Sequence, residues 1–279
     1  MKTLGYYNGK IDELDRITVP MLDRACYFGD GVYDVTFSRN HKIYMLEEHV
    51  ARILQSAARI GIHPKITEAE LASLLSSLIL RLDDGEAWVY FQFSRGTDFR
   101  AHAFPKDAQP NLWIMLRPAK IKDTYRPLRC ITLEDTRSQL CNVKSLNLRP
   151  TVLATQTTVE ADVDECILHR NGIVTECAHS NVSILKDKTL ITHPANQYIL
   201  AGTGRAHLIN TCKQFHIPVI EREYTLEELR NADEIILTSA SSLCMRITEL
   251  DASPIGKRDE ATLRMLQDAL LKDFLEKTE

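Results

Sequence analysis

The order of elements predicts an α+β fold of two domains with mixed sheets, and three observations carry that expectation. Candidate strands are mostly joined by hairpins, without the regular crossover helices of a doubly wound sheet. The chain has 279 residues, above the common single-domain size. A linker composition, Pro118 followed by "KDTYRP", falls near residue 120. The expected domains are a smaller α/β domain over 1–119 and a larger one over 120–279 that carries Lys144.

The elements follow from local pattern. "YYNGKI" places Asn8-Gly9 between two short runs, a hairpin signal. "VYDVTFSRNHKIYML" reads as two strands around a polar turn. In "EEHVARILQSAARIGI", Val50, Ile53, Leu54, Ala57 and Ile60 keep helical spacing, and Gly61 is a plausible stop. "TEAELASLLSSLILRL" opens on a capping box, Thr67 with Glu70 three residues later. "EAWVYFQFSRG" and "NLWIMLRP" are rich in aromatic and branched residues, as buried strands are. Beyond the linker come a strand "LRCITLED", a helix over about 151–161, and the hairpins "ECILHRNGIVTE" and "NVSILKDKTLIT". A helix then starts at "GTGRAHL". Strands "PVIER", "EIILTS" and "CMRITEL" follow, with a short helix near 225–231, and a last helix begins about Asp259.

Composition excludes several classes. Hydrophobic residues are 44% and charged residues 26%, ordinary for a globular chain that buries its own core. A formal net charge of −4 with scattered basic residues does not point to nucleic acid or anionic lipid. "MKTLGYYNGKIDEL" turns polar too soon for a signal peptide, and "LASLLSSLIL" is too short to span a bilayer. The cysteines, at 26, 130, 141, 166, 177, 212 and 244, are odd in number and never spaced C-x-x-C. No disulfide framework and no metal site is expected, and a cytoplasmic, reducing location fits.

Four stretches could carry chemistry. In "CNVKSLNLRP", Lys144 sits between Val143 and Leu146, which suggests partial burial. Burial disfavours an ammonium, and Schiff-base lysines depend on the neutral amine. "GTGRAHL" puts glycines at a helix entrance, where backbone N–H groups and the helix dipole favour an anion. It matches no nucleotide motif, so a tight turn with a glycine cap remains the alternative. The hydroxyls of "LTSASS" could reach the same anion. "SRGTDFRAHAFP" carries Arg100 and His102 two residues apart, hence on one side of an extended segment. Such a pair can trap a carboxylate, although taken alone the stretch reads as a solvated basic loop. In "YFGDGVYDV", two glycines bend the chain before Tyr33.

The order of "RACYFGDGVYDV", "EEHVARILQSA", "SRGTDFRAH", "VKSLNL", "ILHRNGIVTECAHSNV", "THPANQYILAGTGR" and "EIILTSAS" resembles the fold-type IV pyridoxal-phosphate enzymes over nearly the whole chain. The R-A-H loop with "KSLNL" is most similar to the D-amino-acid aminotransferases. The resemblance implies pyridoxal 5'-phosphate as cofactor, with Lys144 as the Schiff-base lysine. It implies Glu176 as partner of the ring nitrogen, Tyr33 at the phenolic oxygen and Leu200 on one ring face. Arg52, Thr203, Gly204, Ser239, Ala240 and Ser241 would hold the phosphate. Arg100 and His102, with Tyr33, would hold the substrate carboxylate. The family's loop reaches in from a partner subunit, so a homodimer is implied.

The implied activity is ping-pong transfer of an amino group from a D-amino acid to a 2-oxo acid. Aminodeoxychorismate lyase, ranked second because of the Arg100-x-His102 pair, and branched-chain L-amino-acid aminotransferase are the alternatives. Two departures stand out. Cys177, Ala178 and His179 replace small glycine and serine residues after Glu176. Gly204 replaces a threonine, which is expected to weaken phosphate anchoring.

Overall fold

The computed structural model describes residues 1–279. Its contacts divide into two compact units. The first comprises Met1–Ile121, Val143–Asn147 and Leu275–Glu279; the second comprises Lys122–Asn142 and Leu148–Phe274.

In the first unit, β1 (Leu4–Tyr7) and β2 (Lys10–Asp12) form the expected hairpin, with Asn8 and Gly9 at φ of 46° and 94°. A single 3₁₀ turn (Leu14–Arg16) and a five-residue helix α1 (Arg24–Phe28) follow. Next come β3 (Gly31–Arg39), β4 (Lys42–Ile43), α2 (Leu46–Arg59), α3 (Glu68–Ile79), β5 (Ala87–Ser94) and β6 (Asn111–Pro118). The six strands form one sheet in the order β2-β1-β6-β5-β3-β4, antiparallel at every pairing.

The period of two along the strands decides which face is buried. Val89 and Phe91 of β5, with Ile114 and Leu116 of β6, share a buried cluster with Val50, Ile53 and Ala57 of α2 and Leu71, Leu75 and Leu78 of α3. The alternate residues face the other way and are largely aromatic. There Tyr33 and Tyr90 stack with centroids 5.6 Å apart. The capping box of α3 is present in full: the Thr67 hydroxyl accepts from the Glu70 amide, and the Glu70 carboxylate accepts from the Thr67 amide.

The second unit contains β7 (Leu128–Glu134), α4 (Arg149–Glu160), β8 (Glu165–Arg170), β9 (Ile173–Cys177), β10 (Asn181–Lys186), β11 (Thr189–Thr192), α5 (Thr203–Gln214), β12 (Val219–Glu221), α6 (Leu226–Arg230), β13 (Glu234–Thr238), β14 (Met245–Leu250) and β15 (Ser253–Pro254). The last helix is α7 (Glu260–Lys277). The nine strands run β12-β11-β10-β13-β14-β7-β8-β9, with β15 paired to β14. Pairings of β11 with β12, β14 with β7, and β7 with β8 are parallel; the rest are antiparallel. Mixed pairing is therefore a property of this sheet alone.

One placement departs from the sequence reading. Lys144 groups with the first unit, not with the second half of the chain. Backbone pairing is the reason: Tyr33 N donates to Lys144 O at 2.9 Å, and Leu146 N donates to Gly31 O at 3.0 Å. Ser145 forms an isolated antiparallel bridge with Val32. The short α1 and the 3₁₀ turn are also absent from the sequence reading, being too brief to show a period.

Phe91 is fully buried, so Phe91→Ala is expected to lower the unfolding free energy by about 3–5 kcal/mol. Thr67→Ala should cost only about 1 kcal/mol. Urea unfolding of the two variants tests the ranking.

Candidate active site

In the first unit, the backbone pairing just described brings Lys144 beside Tyr33. The Lys144 ammonium nitrogen lies 4.5 Å from the centre of the Tyr33 ring. The Lys144 amide donates to the Ser56 hydroxyl of α2 at 3.3 Å, so the backbone is held from two sides. Lys144 is half-buried, as its flanks predict.

Arg52, on α2, reaches Asp34, the β3 residue next to Tyr33. Its Nε and Nη2 donate to Asp34 at 2.8 and 2.7 Å, a bidentate pair that fixes the guanidinium plane. His49 Nδ1 lies 2.7 Å from the same carboxylate. Asp34 is fully buried. Burial alone would raise its pKa; the Arg52 guanidinium and His49 outweigh it and hold Asp34 well below the usual carboxylate range. Burial lowers the pKa of His49, against the pull of Asp34, and the positive charges of Arg52 and Lys144 lower it further.

Arg100 and His102 lie on an exposed loop. Both approach one ring, Phe28 at the end of α1. The Arg100 guanidinium is 5.0 Å from its centre and the His102 ring 5.1 Å. The structure thus brings this sequence-predicted pair together, around a residue the sequence does not suggest.

In the second unit, Glu176 lies near the end of β9 and is buried. Its carboxylate accepts from Arg137 Nη1 at 2.6 Å, from Asn181 Nδ2 at 2.8 Å and from the Leu200 amide at 3.1 Å. Glu176 and Leu200, both predicted site residues, are therefore in direct contact. Arg137 is itself clamped: Nε and Nη2 each donate to Asp135 at 2.9 Å. Burial would raise the pKa of Asp135, but Arg137 and Arg170 lower it. Arg137, Asp135 and Asn181, which fix the Glu176 carboxylate directly or through one another, are absent from the sequence reading. Their signals, a charged pair after a strand and an asparagine at a strand start, are too common to stand out.

The entrance of α5 explains the glycines of "GTGR" by close approach. A Cβ on Gly202 would collide with Asn181 Oδ1. A Cβ on Gly204 would lie 3.3 Å from the backbone of Ser239. The helix start has no side-chain cap, and its first amides point out of the helix. Ser239 and Ser241, whose hydroxyls are 3.2 Å apart, turn beside it, with Ala240 between them. Arg205 Nε donates to Thr192 at 3.1 Å and Nη2 to His193 O at 2.8 Å, which aims the helix. Gly204 thus makes room for Ser239. A threonine there would press on that backbone as well as add a hydroxyl.

The departures after Glu176 also have a place. Cys177 is fully buried and Ala178 nearly so. His179 is half-exposed, with Nδ1 3.0 Å from Glu165. Burial raises the pKa of Glu165, and His179 opposes that.

These residues fit pyridoxal phosphate. A buried carboxylate held by three donors suits a protonated ring nitrogen, and a helix start entered through a glycine, with no side-chain cap, suits a phosphate. The first unit by itself sets a half-buried lysine beside a tyrosine, and an arginine and a histidine around one aromatic ring.

Comparison with known proteins agrees. The pattern of the amino-transferase class IV family matches residues 31–250, and the chain belongs to that family. It is 35% identical over 281 residues to the D-alanine aminotransferase of Bacillus licheniformis, covering 100% of this chain and 99% of the relative. It is 36% identical to the D-alanine aminotransferase of Listeria monocytogenes serotype 1/2a, covering 93% and 92%. Among solved structures, the branched-chain amino acid aminotransferase of Escherichia coli superposes with a TM-score of 0.88 at 19% identity, covering 100% of this chain and 96% of that one. The branched-chain aminotransferase of the thermophilic archaeon Thermoproteus uzoniensis, solved with norvaline, gives 0.89 at 19% identity, covering 99% and 96%. At that identity the likeness shows the fold: fold-type IV, as expected.

Asp34→Asn should lower the unfolding free energy at pH 7 by about 3–5 kcal/mol, because it breaks a buried ion pair. The sign with pH is fixed by the lowered values. Stability linked to His49 and Asp34 is fully present above their unfolded pKa values of 6.5 and 3.8. It is lost as pH falls through the folded ones. Urea titrations from pH 7 to 5 should therefore show wild-type stability falling as unfolded histidine takes up its proton, and a flatter limb in His49→Gln; parallel limbs would contradict this.

Proposed function

We propose that this protein is a D-amino-acid transaminase using pyridoxal 5'-phosphate, with D-alanine as a representative donor and 2-oxoglutarate as a representative acceptor. The observation that carries the reading is the full-length similarity to D-alanine aminotransferases, at 35% and 36% identity. The placement of Arg100 and His102 around one ring supports the choice of donor class.

The cofactor, when bound, supplies an electron sink for the carbanion formed when the α-proton leaves. Lys144 would bind it covalently through Nζ, and the same amine, once freed, would carry the α-proton. Glu176 would accept a hydrogen bond from the ring nitrogen. Arg137 and Asn181 keep that carboxylate in one orientation. Tyr33 would bond the phenolic oxygen, and Leu200 would pack on a ring face. Arg52, Thr203, Gly204, Ser239, Ala240 and Ser241 would hold the phosphate. Asp34 keeps the Arg52 guanidinium rigid while it does so. Arg100 and His102, with Tyr33, would hold the substrate carboxylate.

The proposed assembly is a homodimer in which that loop serves the partner's site. The exposed apolar side chains of Met21, Phe99 and Phe104 support it. No helix is long and apolar enough to cross a membrane. Seven unpaired cysteines support a reducing, cytoplasmic setting.

Protein loaded with pyridoxal phosphate should release pyruvate from D-alanine over many turnovers only when 2-oxoglutarate is supplied, and no more than about one equivalent per site without it. Turnover of L-leucine with none of D-alanine would move the assignment to a branched-chain enzyme. Pyruvate release from aminodeoxychorismate without any oxo acid would make it a lyase.

A further inference from the structure

The five residues of α1 do more than connect β2 to β3. Arg24 is 3% exposed, yet it is not spent on a core ion pair alone. Its Nε donates to Asp30 at 2.8 Å. Its Nη1 donates to Ala101 O at 2.7 Å and lies 3.4 Å from Ala103 O. Those two carbonyls flank His102. Asp30 also accepts from Arg95 Nε at 2.8 Å. Arg95 in turn donates to Ile60 O at 2.8 Å and Gly61 O at 2.9 Å, just past the end of α2.

Phe28 completes the arrangement. Its ring is approached by Arg24 at 4.8 Å, by Arg100 at 5.0 Å and by His102 at 5.1 Å. Two of these are cation–aromatic contacts. Tyr27 adds a tether: its hydroxyl donates to Asp98 O at 2.8 Å. The backbone joins in, with Arg24 N donating to Gly96 O at 3.0 Å and Asp98 N to Leu22 O at 3.2 Å. An exposed loop of this kind would otherwise sample many conformations, and each would misplace Arg100 and His102 relative to one another.

We propose that Phe28 and Arg24 are positioning residues for substrate specificity: Phe28 is the common platform that aligns Arg100 with His102, and Arg24 pins the backbone on both sides of His102, so that the pair grips an α-carboxylate. This rests on the assignment of Arg100 and His102 to the substrate carboxylate. Neither Phe28 nor Arg24 touches the reacting atoms in this account. Their influence is on binding of the carboxylate, not on the lysine chemistry.

The test uses the protein loaded with pyridoxal phosphate, with Phe28→Leu as the main variant and Phe28→Tyr as the ring-preserving control. Two constants are read: KM for D-alanine, and the inhibition constant of propanoate, which carries a carboxylate and no amine. In Phe28→Leu both should rise about tenfold, the order expected from losing the ring's contacts with Arg100 and His102. The kcat and the visible absorption of the bound cofactor should stay near wild type. Phe28→Tyr should keep both constants near wild type. Should Phe28→Leu fail to fold, Phe28→Met, which fills similar space without a flat face, gives the same comparison. Unchanged KM and propanoate inhibition in a folded ring-less variant would overturn the proposal, as would loss of kcat or cofactor absorption with KM unchanged. A wild-type protein with no turnover of D-alanine would overturn the functional reading and this proposal with it. Turnover by wild type with unaltered variant constants would overturn this proposal alone.

Discussion

A few backbone hydrogen bonds between Val143–Asn147 and the start of β3 decide where Lys144 sits. Tyr33 N to Lys144 O and Leu146 N to Gly31 O make this segment a short strand partner of the first sheet, although its neighbours on both sides belong to the second unit. The consequence is chemical. A lysine on a free loop would be a solvated charge. Here its backbone is fixed by β3 and by Ser56, and its amine is held against the face of Tyr33. The role proposed for Lys144 requires an ordered amine, and backbone pairing orders it at little side-chain cost.

Several arginines share one arrangement: a guanidinium whose orientation is fixed by a buried or largely buried carboxylate. Asp34 holds Arg52, Asp135 holds Arg137, and Asp30 holds Arg24 and Arg95. In each case two nitrogens of a guanidinium, or two guanidinium groups, share one carboxylate. Buried ion pairs of this sort are weak contributors to net stability, because desolvation offsets much of their attraction. Their value lies in direction. An arginine pinned along one edge presents its other edge at a fixed angle, which is what recognition of a phosphate or carboxylate requires.

Much of this is legible in the sequence, for identifiable reasons. The capping box at Thr67, the Asn8-Gly9 hairpin and the amphipathic α2 are local, and local rules suffice. Glu176 with Leu200, and Gly204 with Ser239, are far apart in the chain, and the order of motifs pairs them because it resembles a known family. Arg137, Asn181, Arg24 and Phe28 are not legible. Arg137, Arg24 and Phe28 contact residues distant in sequence, Asn181 reaches back five residues across a turn, and none carries a composition signal of its own. The membership of Lys144 in the first unit is hidden for the same reason: strand pairing of a short loop leaves no periodic trace. The glycines of "GTGR" suggest an anion site by sequence, whereas close approach to Asn181 and Ser239 accounts for two of their positions.

The central claim is that Lys144 is the residue that binds the cofactor. Protein incubated with pyridoxal 5'-phosphate, reduced with borohydride and digested should carry the reduced cofactor on the peptide containing Lys144, and Lys144→Ala should carry none. A stoichiometric adduct on another lysine, or one that persists in Lys144→Ala together with wild-type turnover, would contradict the account.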